Sequence, residues 1–290
     1  MMKLRAYAKI NIGLHILRKR SDGFHDLETV FREINCFDEI ELERHEKITM
    51  TADSILVPVD SSNLCVRAAT LLQKEKHVRE GVQIHLKKNI PVGAGLGGGS
   101  SDAAAILSGL NRFWELRMSK QDLSVLAAQI GADVPFFIGG GTAYATGRGD
   151  LCEPFDLSLP FWIAVVTPLV HISTVWAYSQ MVPNRNGRPS GLRSKIEKHL
   201  ASPRTWASFI QNDFEPVVFQ MHPELGRVKE QLNEQGAVFS LMSGSGSSVF
   251  GMFENEKGAT AALSSFPNMY QTSLTAPTFQ PIHKPEPAKS

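Results

Sequence analysis

From Leu4 to Ile16 every even position is apolar (Leu4, Ala6, Ala8, Ile10, Ile12, Leu14 and Ile16), while Arg5, Tyr7, Lys9, Asn11 and His15 stand between them. Period-two alternation predicts a strand with Lys9 and Asn11 projecting from one face. The plain reading of such a face is that water covers it. Val30, Phe31, Ile34, Ile40 and Leu42 predict a further strand between Leu27 and Leu42. Val82, Ile84 and Leu86 alternate with Gln83, His85 and Lys87 in a half-buried one. Helical stripes follow: Leu64, Ala68, Leu71 and Leu72 behind a capping Asn63, then Ala103, Ile106, Leu107, Leu110, Phe113 and Trp114, with Ser100 or Ser101 as cap. Ser119 with Asp122 reads as a capping box for Leu123, Leu126, Ala127 and Ile130, and Gly131 as the stop.

Farther on, Ala143 to Thr146 predicts a strand between glycine-rich turns, and the unbroken apolar run Phe161–Val166 predicts a buried one. Pro168 to Tyr178 reads as a loop forming a pocket wall, and 184–198 as a mobile excursion. Asn212–Met221 and Pro223–Gln235 predict two short helices. Strands at Ala237–Met242 and Val249–Phe253 flank the small-residue turn Ser243–Ser247. The pattern is α+β, with a junction between Pro154 and Pro160. It predicts an N-terminal domain at 1–156, a C-terminal domain at 157–282 and a disordered tail at 283–290.

Between the half-buried strand and the second helix lies Pro91-Val92-Gly93-Ala94-Gly95-Leu96-Gly97-Gly98-Gly99-Ser100-Ser101. Glycines let backbone N–H groups converge without Cβ obstruction, and the unsatisfied donors of a helix start point the same way. A flexible linker is seldom flanked by such regular elements. The stretch predicts a phosphate cradle. Gly93 to Gly98 also matches the dinucleotide fingerprint G-x-G-x-x-G. Against that, no acidic residue ends a second strand ~20 residues on, and no Walker string G-x-x-x-x-G-K-[ST] is present.

The chain's 290 residues suffice for a sizeable core in one or two domains. Thirty basic and 29 acidic side chains nearly cancel, so neither nucleic acid nor a membrane surface is an expected partner. Cys36, Cys65 and Cys152 lack metal-ligand spacing and suggest a reducing, cytoplasmic setting. No apolar run approaches the ~20 residues that span a bilayer. Asp133 sits in apolar company, Gly131-Ala132-Asp133-Val134-Pro135-Phe136, where a carboxylate is costly unless paired. Lys9 is the cation the chain already offers.

Four separated strings, Ala8-Lys9-Ile10-Asn11, Pro91 through Ala104, Gly131 through Phe136 and Met242-Ser243-Gly244-Ser245-Gly246, together resemble the galactokinase, homoserine kinase, mevalonate kinase and phosphomevalonate kinase superfamily. Arg20-Ser21-Asp22-Gly23-Phe24-His25, and Asn63-Leu64 with Arg67-Ala68-Ala69, are most similar to its 4-diphosphocytidyl-2-C-methyl-D-erythritol kinase family. The resemblance implies a two-domain small-molecule kinase fold with the active site in the interdomain cleft. It further implies ATP with Mg²⁺, and a small-molecule acceptor carrying a cytidine diphosphate group. Asp133 then matches the catalytic base and Lys9 the lysine beside it. ATP's phosphates would lie on Pro91 through Ser101, and Asn11 near the erythritol. His25 would hydrogen-bond the cytosine, stacked between Tyr178 and Phe24, where the family often has Tyr. Ser100 and Ser101 are the metal candidates.

Overall fold

The N-terminal alternation becomes an 18-residue strand, β1 (Met2–Lys19), which turns back into β2 (His25–His45). The computed structural model describes residues 1–183, 187–200 and 202–283. β3 (Thr49–Ala52), β4 (Gly81–Lys87), β5 (Thr142–Thr146) and β6 (Leu151–Pro154) complete the first sheet. β1 runs antiparallel to β2, which also carries β4 on its C-terminal part and β5 on its N-terminal part. Helices α1 (Leu64–Glu75), α2 (Gly98–Phe113), α3 (Lys120–Ile130) and α4 (Val134–Gly139) pack on this sheet. Leu4, Leu42 and Ile84 meet Leu72, Ile106 and Leu110 there, each such side chain contributing about 1.5–3 kcal/mol by leaving water.

The second sheet contains β7 (Trp162–Thr167), β8 (Phe239–Met242), β9 (Val249–Phe253) and β10 (Gln271–Thr275). Its order is β10-β7-β9-β8, antiparallel throughout. Around it lie α5 (Thr174–Ser179), α6 (Leu192–Lys198), α7 (Glu215–Met221), α8 (Pro223–Glu234) and α9 (Glu256–Ser264).

Water covers neither face of β1 between Ala6 and Leu17. Lys9 is 4% exposed, and Asn11 and His15 are 1%. Leu4 and Ala6 pack with the helices, whereas Ala8, Ile10 and Ile12 pack with Val165, Leu241 and Phe250 of the second sheet. Leu14 and Ile16 join Val166, Phe214 and Val249. The pairing with β2 shifts register between Tyr7 and Lys9 and again between Asn11 and Leu14. Bulges of this kind re-aim side chains without ending a strand. One uninterrupted alternation therefore serves three cores.

Several local expectations are corrected. Gly97 in the left-handed region, not Ser100 or Ser101, precedes α2, and both serines fall in its first turn. Gly131 stops α3 as expected, in extended rather than left-handed backbone. Val134–Gly139, which has too few residues to show helical periodicity, forms α4. The end of the 168–178 loop is helical in α5, and Leu192–Lys198 of the expected excursion is α6; 184–186 lie outside the described residues. His283, assigned above to a disordered tail, places Nε2 3.0 Å from Glu33 Oε2, while 284–290 lie outside the described residues.

Candidate active site

A cavity of about 880 Å³ opens between the two halves. β1 and β2 contribute Lys9, Asn11 and Thr29, the glycine loop contributes Pro91 to Gly95 and Gly97 to Ser100, and the second half contributes Thr174, Tyr178, Gly244 and Ser245. Within the loop, Gly93, Gly95 and Gly97 have φ of +68°, +77° and +71°, while Ala94 and Leu96 between them are buried. The apolar residues anchor the loop and the glycines turn it. The Leu96 carbonyl accepts from Lys9 N at 2.9 Å and the Ala94 carbonyl from Ser248 N at 3.1 Å. Ser243 Oγ donates to the Gly95 carbonyl at 3.0 Å. The 16-residue α2 begins where the loop ends, so its free N–H groups and dipole favour an anion there.

Ser100 lines the cleft. Leu96 and Ser101 do not: Leu96 is in the core, and Ser101, 2% exposed, faces a separate cavity of about 280 Å³ beside Tyr7. The burial of Ser101 removes its hydroxyl from the list of groups that meet a metal in the cleft.

Lys9 Nζ lies 3.6 Å from Asp133 Oδ2. It donates to Asn11 Oδ1 at 2.7 Å and to the Gly95 carbonyl at 3.3 Å, and it stands 5.0 Å from the Phe31 ring centroid. Burial lowers the Lys9 pKa from its usual value, and the charge and hydrogen bond of Asp133 pull it partly back. Asp133 precedes α4 but makes no side-chain cap bond. Its carboxylate, one-third exposed, is left free for the cleft. A buried ammonium, a one-third-exposed carboxylate and a glycine-rich loop share one cavity.

At the other end of the cleft Tyr178 stacks on His25, with ring centroids 5.1 Å apart and planes 24° apart, and meets Phe214 edge-on at 4.9 Å. Burial, then the nearby Lys19 charge, lowers the His25 pKa, and its Nε2 is buried without a hydrogen-bond partner. Phe24 is 53% exposed and carries the Arg148 guanidinium 5.0 Å from its centroid. Phe24 and Tyr178 line the same cavity, with one face of Tyr178 covered by His25.

The GHMP kinases N terminal domain matches residues 63–141, and the GHMP kinases C terminal domain matches 194–272. The 4-diphosphocytidyl-2-C-methyl-D-erythritol kinase of Pelodictyon phaeoclathratiforme is 45% identical over 95% of this chain and 97% of its own. That of Chlorobium limicola is 45% identical over 97% and 99%. The chain belongs to the 4-diphosphocytidyl-2-C-methyl-D-erythritol kinase family. A solved 4-(cytidine 5'-diphospho)-2C-methyl-D-erythritol kinase superposes with a TM-score of 0.79 at 33% identity, covering 94% of this chain and 98% of the other. The homoserine kinase of Cytophaga hutchinsonii shares the fold at TM-score 0.73 and 17% identity, each chain covered to 94%.

Membership in this kinase family makes ATP the phosphoryl donor, and it directs attention to cleft residues that sequence reasoning passed over. Arg148 reads as part of a turn, although flanking glycines at φ +65° and +96° are a signal that the backbone is bent to aim it. Lys88 follows β4 directly, and its side chain is buried against Asp38 and Asp102, 2.9 Å from Asp102 Oδ2. Asp38 Oδ1 in turn accepts from the amides of Asn89 (2.6 Å) and Ile90 (2.8 Å), tying the start of the loop to β2. Asp102, near the start of α2, belongs to this cluster. Burial pushes its carboxyl well above the usual range, against the pull of Lys88.

Proposed function

We propose that the protein transfers the γ-phosphoryl group of ATP to the 2-hydroxyl of 4-(cytidine 5′-diphospho)-2-C-methyl-D-erythritol, giving the 2-phosphate and ADP on the non-mevalonate route to isoprenoid precursors. The observation that carries this reading is the Lys9–Asp133 pair beside the glycine loop, in a cavity whose other end holds His25 and Tyr178. Residues 1–156 and 157–282 are the two domains flanking it.

Asp133 accepts the hydroxyl proton as the oxygen–phosphorus bond forms and the bond to the β-phosphate oxygen breaks. Lys9, 3.6 Å from Asp133, stabilises the developing alkoxide. Backbone amides of the loop and the start of α2 meet the negative charge spread over the phosphoryl oxygens. Leu56, Val57 and Leu64 offer an apolar wall for the purine, and Arg148 a cation for the acceptor's diphosphate. His25 Nε2, buried and unpartnered, suits a base edge.

No cluster of three or more His, Cys, Asp or Glu suited to a metal exists among the described residues. Of the two serine candidates Ser100 alone faces the cleft. A single hydroxyl fits Mg²⁺ carried mainly by the phosphates of ATP, with few protein ligands, and such an ion would neutralise phosphate charge. Among the described residues no helix is long and apolar enough to cross a membrane. The three free thiols and the need for ATP fit a cytoplasmic enzyme.

The test is ADP release by purified protein with ATP, Mg²⁺ and the cytidine diphosphate substrate, with homoserine and mevalonate alongside. Turnover with one of the latter and none with the former would overturn the substrate assignment. Asp133→Asn is expected to lower kcat by about 10²–10⁴ while ATP binding, followed by calorimetry, is retained. A near wild-type kcat removes Asp133 from the role of base.

A further inference from the structure

The polar chain behind Lys9 continues past Asn11. Asn11 Nδ2 donates to Thr29 Oγ1 at 2.9 Å, and Thr29 Oγ1 donates to the Gly13 carbonyl at 2.5 Å. Lys9, Asn11 and Thr29 are 4%, 1% and 0% exposed, so water does not substitute for any of these contacts. An ammonium has donors only, and Asn11 must turn Oδ1 toward it. The two ends of an amide are alike in shape, so the group at the far end decides which way it points. Thr29 has one hydroxyl hydrogen. While that hydrogen goes to Gly13, the hydroxyl oxygen can only accept, and it demands Nδ2.

The Gly13 carbonyl is in place because β1 bulges there. Asn11 pairs with Phe31 and Leu14 with Thr29, so β1 carries one residue more than β2 across this interval. Gly13, at φ +83°, absorbs the extra residue, and a Cβ on it would lie 3.0 Å from the Leu192 side chain. Only glycine combines that backbone with that packing.

We propose that Thr29 is a positioning residue for phosphoryl transfer: its hydroxyl, aimed by the Gly13 bulge, sets the orientation of the Asn11 amide and through it the Lys9 ammonium beside Asp133. This rests on the reading of Lys9 and Asp133 given above. Around Nζ, the turn before α4 presents Asp133, the glycine loop presents the Gly95 carbonyl, and β2 presents the Phe31 ring. Asp133 is the titratable group within ion-pair distance among the described residues. Without the Thr29 hydroxyl the amide is free to turn a donor toward a donor. The charged form of Lys9 then loses an acceptor.

Wild type, Thr29→Val and Thr29→Ser are compared by ADP release across the alkaline pH range, with thermal melts. Loss of one hydrogen bond to a charged group corresponds to about a 10- to 100-fold fall in kcat for Thr29→Val, with KM for ATP within about twofold. The alkaline limb of kcat/KM moves to lower pH, and Thr29→Ser restores both kcat and the limb. If Thr29→Val does not fold, Thr29→Ala replaces it. A Thr29→Val enzyme with wild-type kcat and pH limb, whatever its melting temperature, overturns the proposal. So does a serine variant as impaired as the valine one. An NMR titration of the Lys9 side chain without substrate reads the same shift independently of turnover. An unchanged midpoint overturns the proposal, whereas an inactive wild type with a shifted midpoint overturns the assigned reaction instead.

Discussion

Gly95→Ala perturbs the point where the two small-residue turns interlock. Gly95 has φ +77°, and a Cβ there would stand 2.1 Å from the Ser243 carbonyl oxygen, where real Cβ atoms keep at least 3.0 Å. The loop must therefore retreat by roughly 1 Å, the difference between those distances. An L residue in left-handed backbone costs about 1–2 kcal/mol. The retreat also draws the Gly95 carbonyl away from Lys9 Nζ and Ser243 Oγ, each bond contributing about 1 kcal/mol net. The sum is about 3–4 kcal/mol, or roughly 6–16 °C in Tm for a chain of this size. A misplacement of about 1 Å near the reacting atoms lowers kcat by about 10²-fold. Steady-state ADP release and thermal melts measure both. Gly226→Ala is the control: it lies within α8, and its Cβ would meet Phe219 at an ordinary 3.7 Å. It should raise stability by about 0.5–1 kcal/mol and leave turnover alone. A Gly95→Ala enzyme with wild-type kcat and Tm would refute the interlocked-loop argument.

Two further outcomes follow from titrating groups. Burial holds the Lys9 pKa below the usual lysine value of 10.5 despite Asp133, so kcat/KM should decline on the alkaline side with a midpoint under 10.5; a profile flat beyond that value contradicts the role of Lys9. Glu28 is fully buried and accepts from Tyr144 Oη (2.8 Å), Leu192 N (2.9 Å), Ser190 N (2.6 Å) and Ser190 Oγ (2.7 Å). Burial works against its charge, but these four donors outweigh it and the pKa lies below the ordinary 4.5. A depressed carboxyl stabilises the fold above its unfolded pKa and loses that contribution as pH falls through the folded one. Glu28→Gln, which turns an NH₂ toward two of the donors, should cost about 1–3 kcal/mol at neutral pH and flatten the acid side of the melting curve. Unchanged melts at both pH values would exclude Glu28 as the clamp on residues 190–192.

Much of the local structure was legible because its causes are local. Asn63 caps α1 through its own side chain, and Ser119 and Asp122 form the expected box. Alternation in β1 placed Lys9 and Asn11 on one face, where they hydrogen-bond. Short elements escaped because they lack the length to display a period: α4 has six residues and β6 four. Arg148 and Thr29 escaped because a turn arginine and a strand threonine are ordinary until their partners are known.

The amino-acid order alone carries the chemistry on offer: a glycine-rich stretch suited to an anion, an apolar-flanked carboxylate, a strand lysine, and motifs resembling one kinase superfamily. How those parts meet is a matter of the folded chain. Folding brought Lys9 to Asp133 across 124 positions of chain, turned Ser101 away from the cleft, and stacked one face of Tyr178 on His25. The physical reason is that cradle, cap and alternation depend on neighbours within a few residues. Burial of Lys9, the orientation of the Asn11 amide and the fit of Gly95 against Ser243 depend on bulges and on a second sheet more than a hundred residues away.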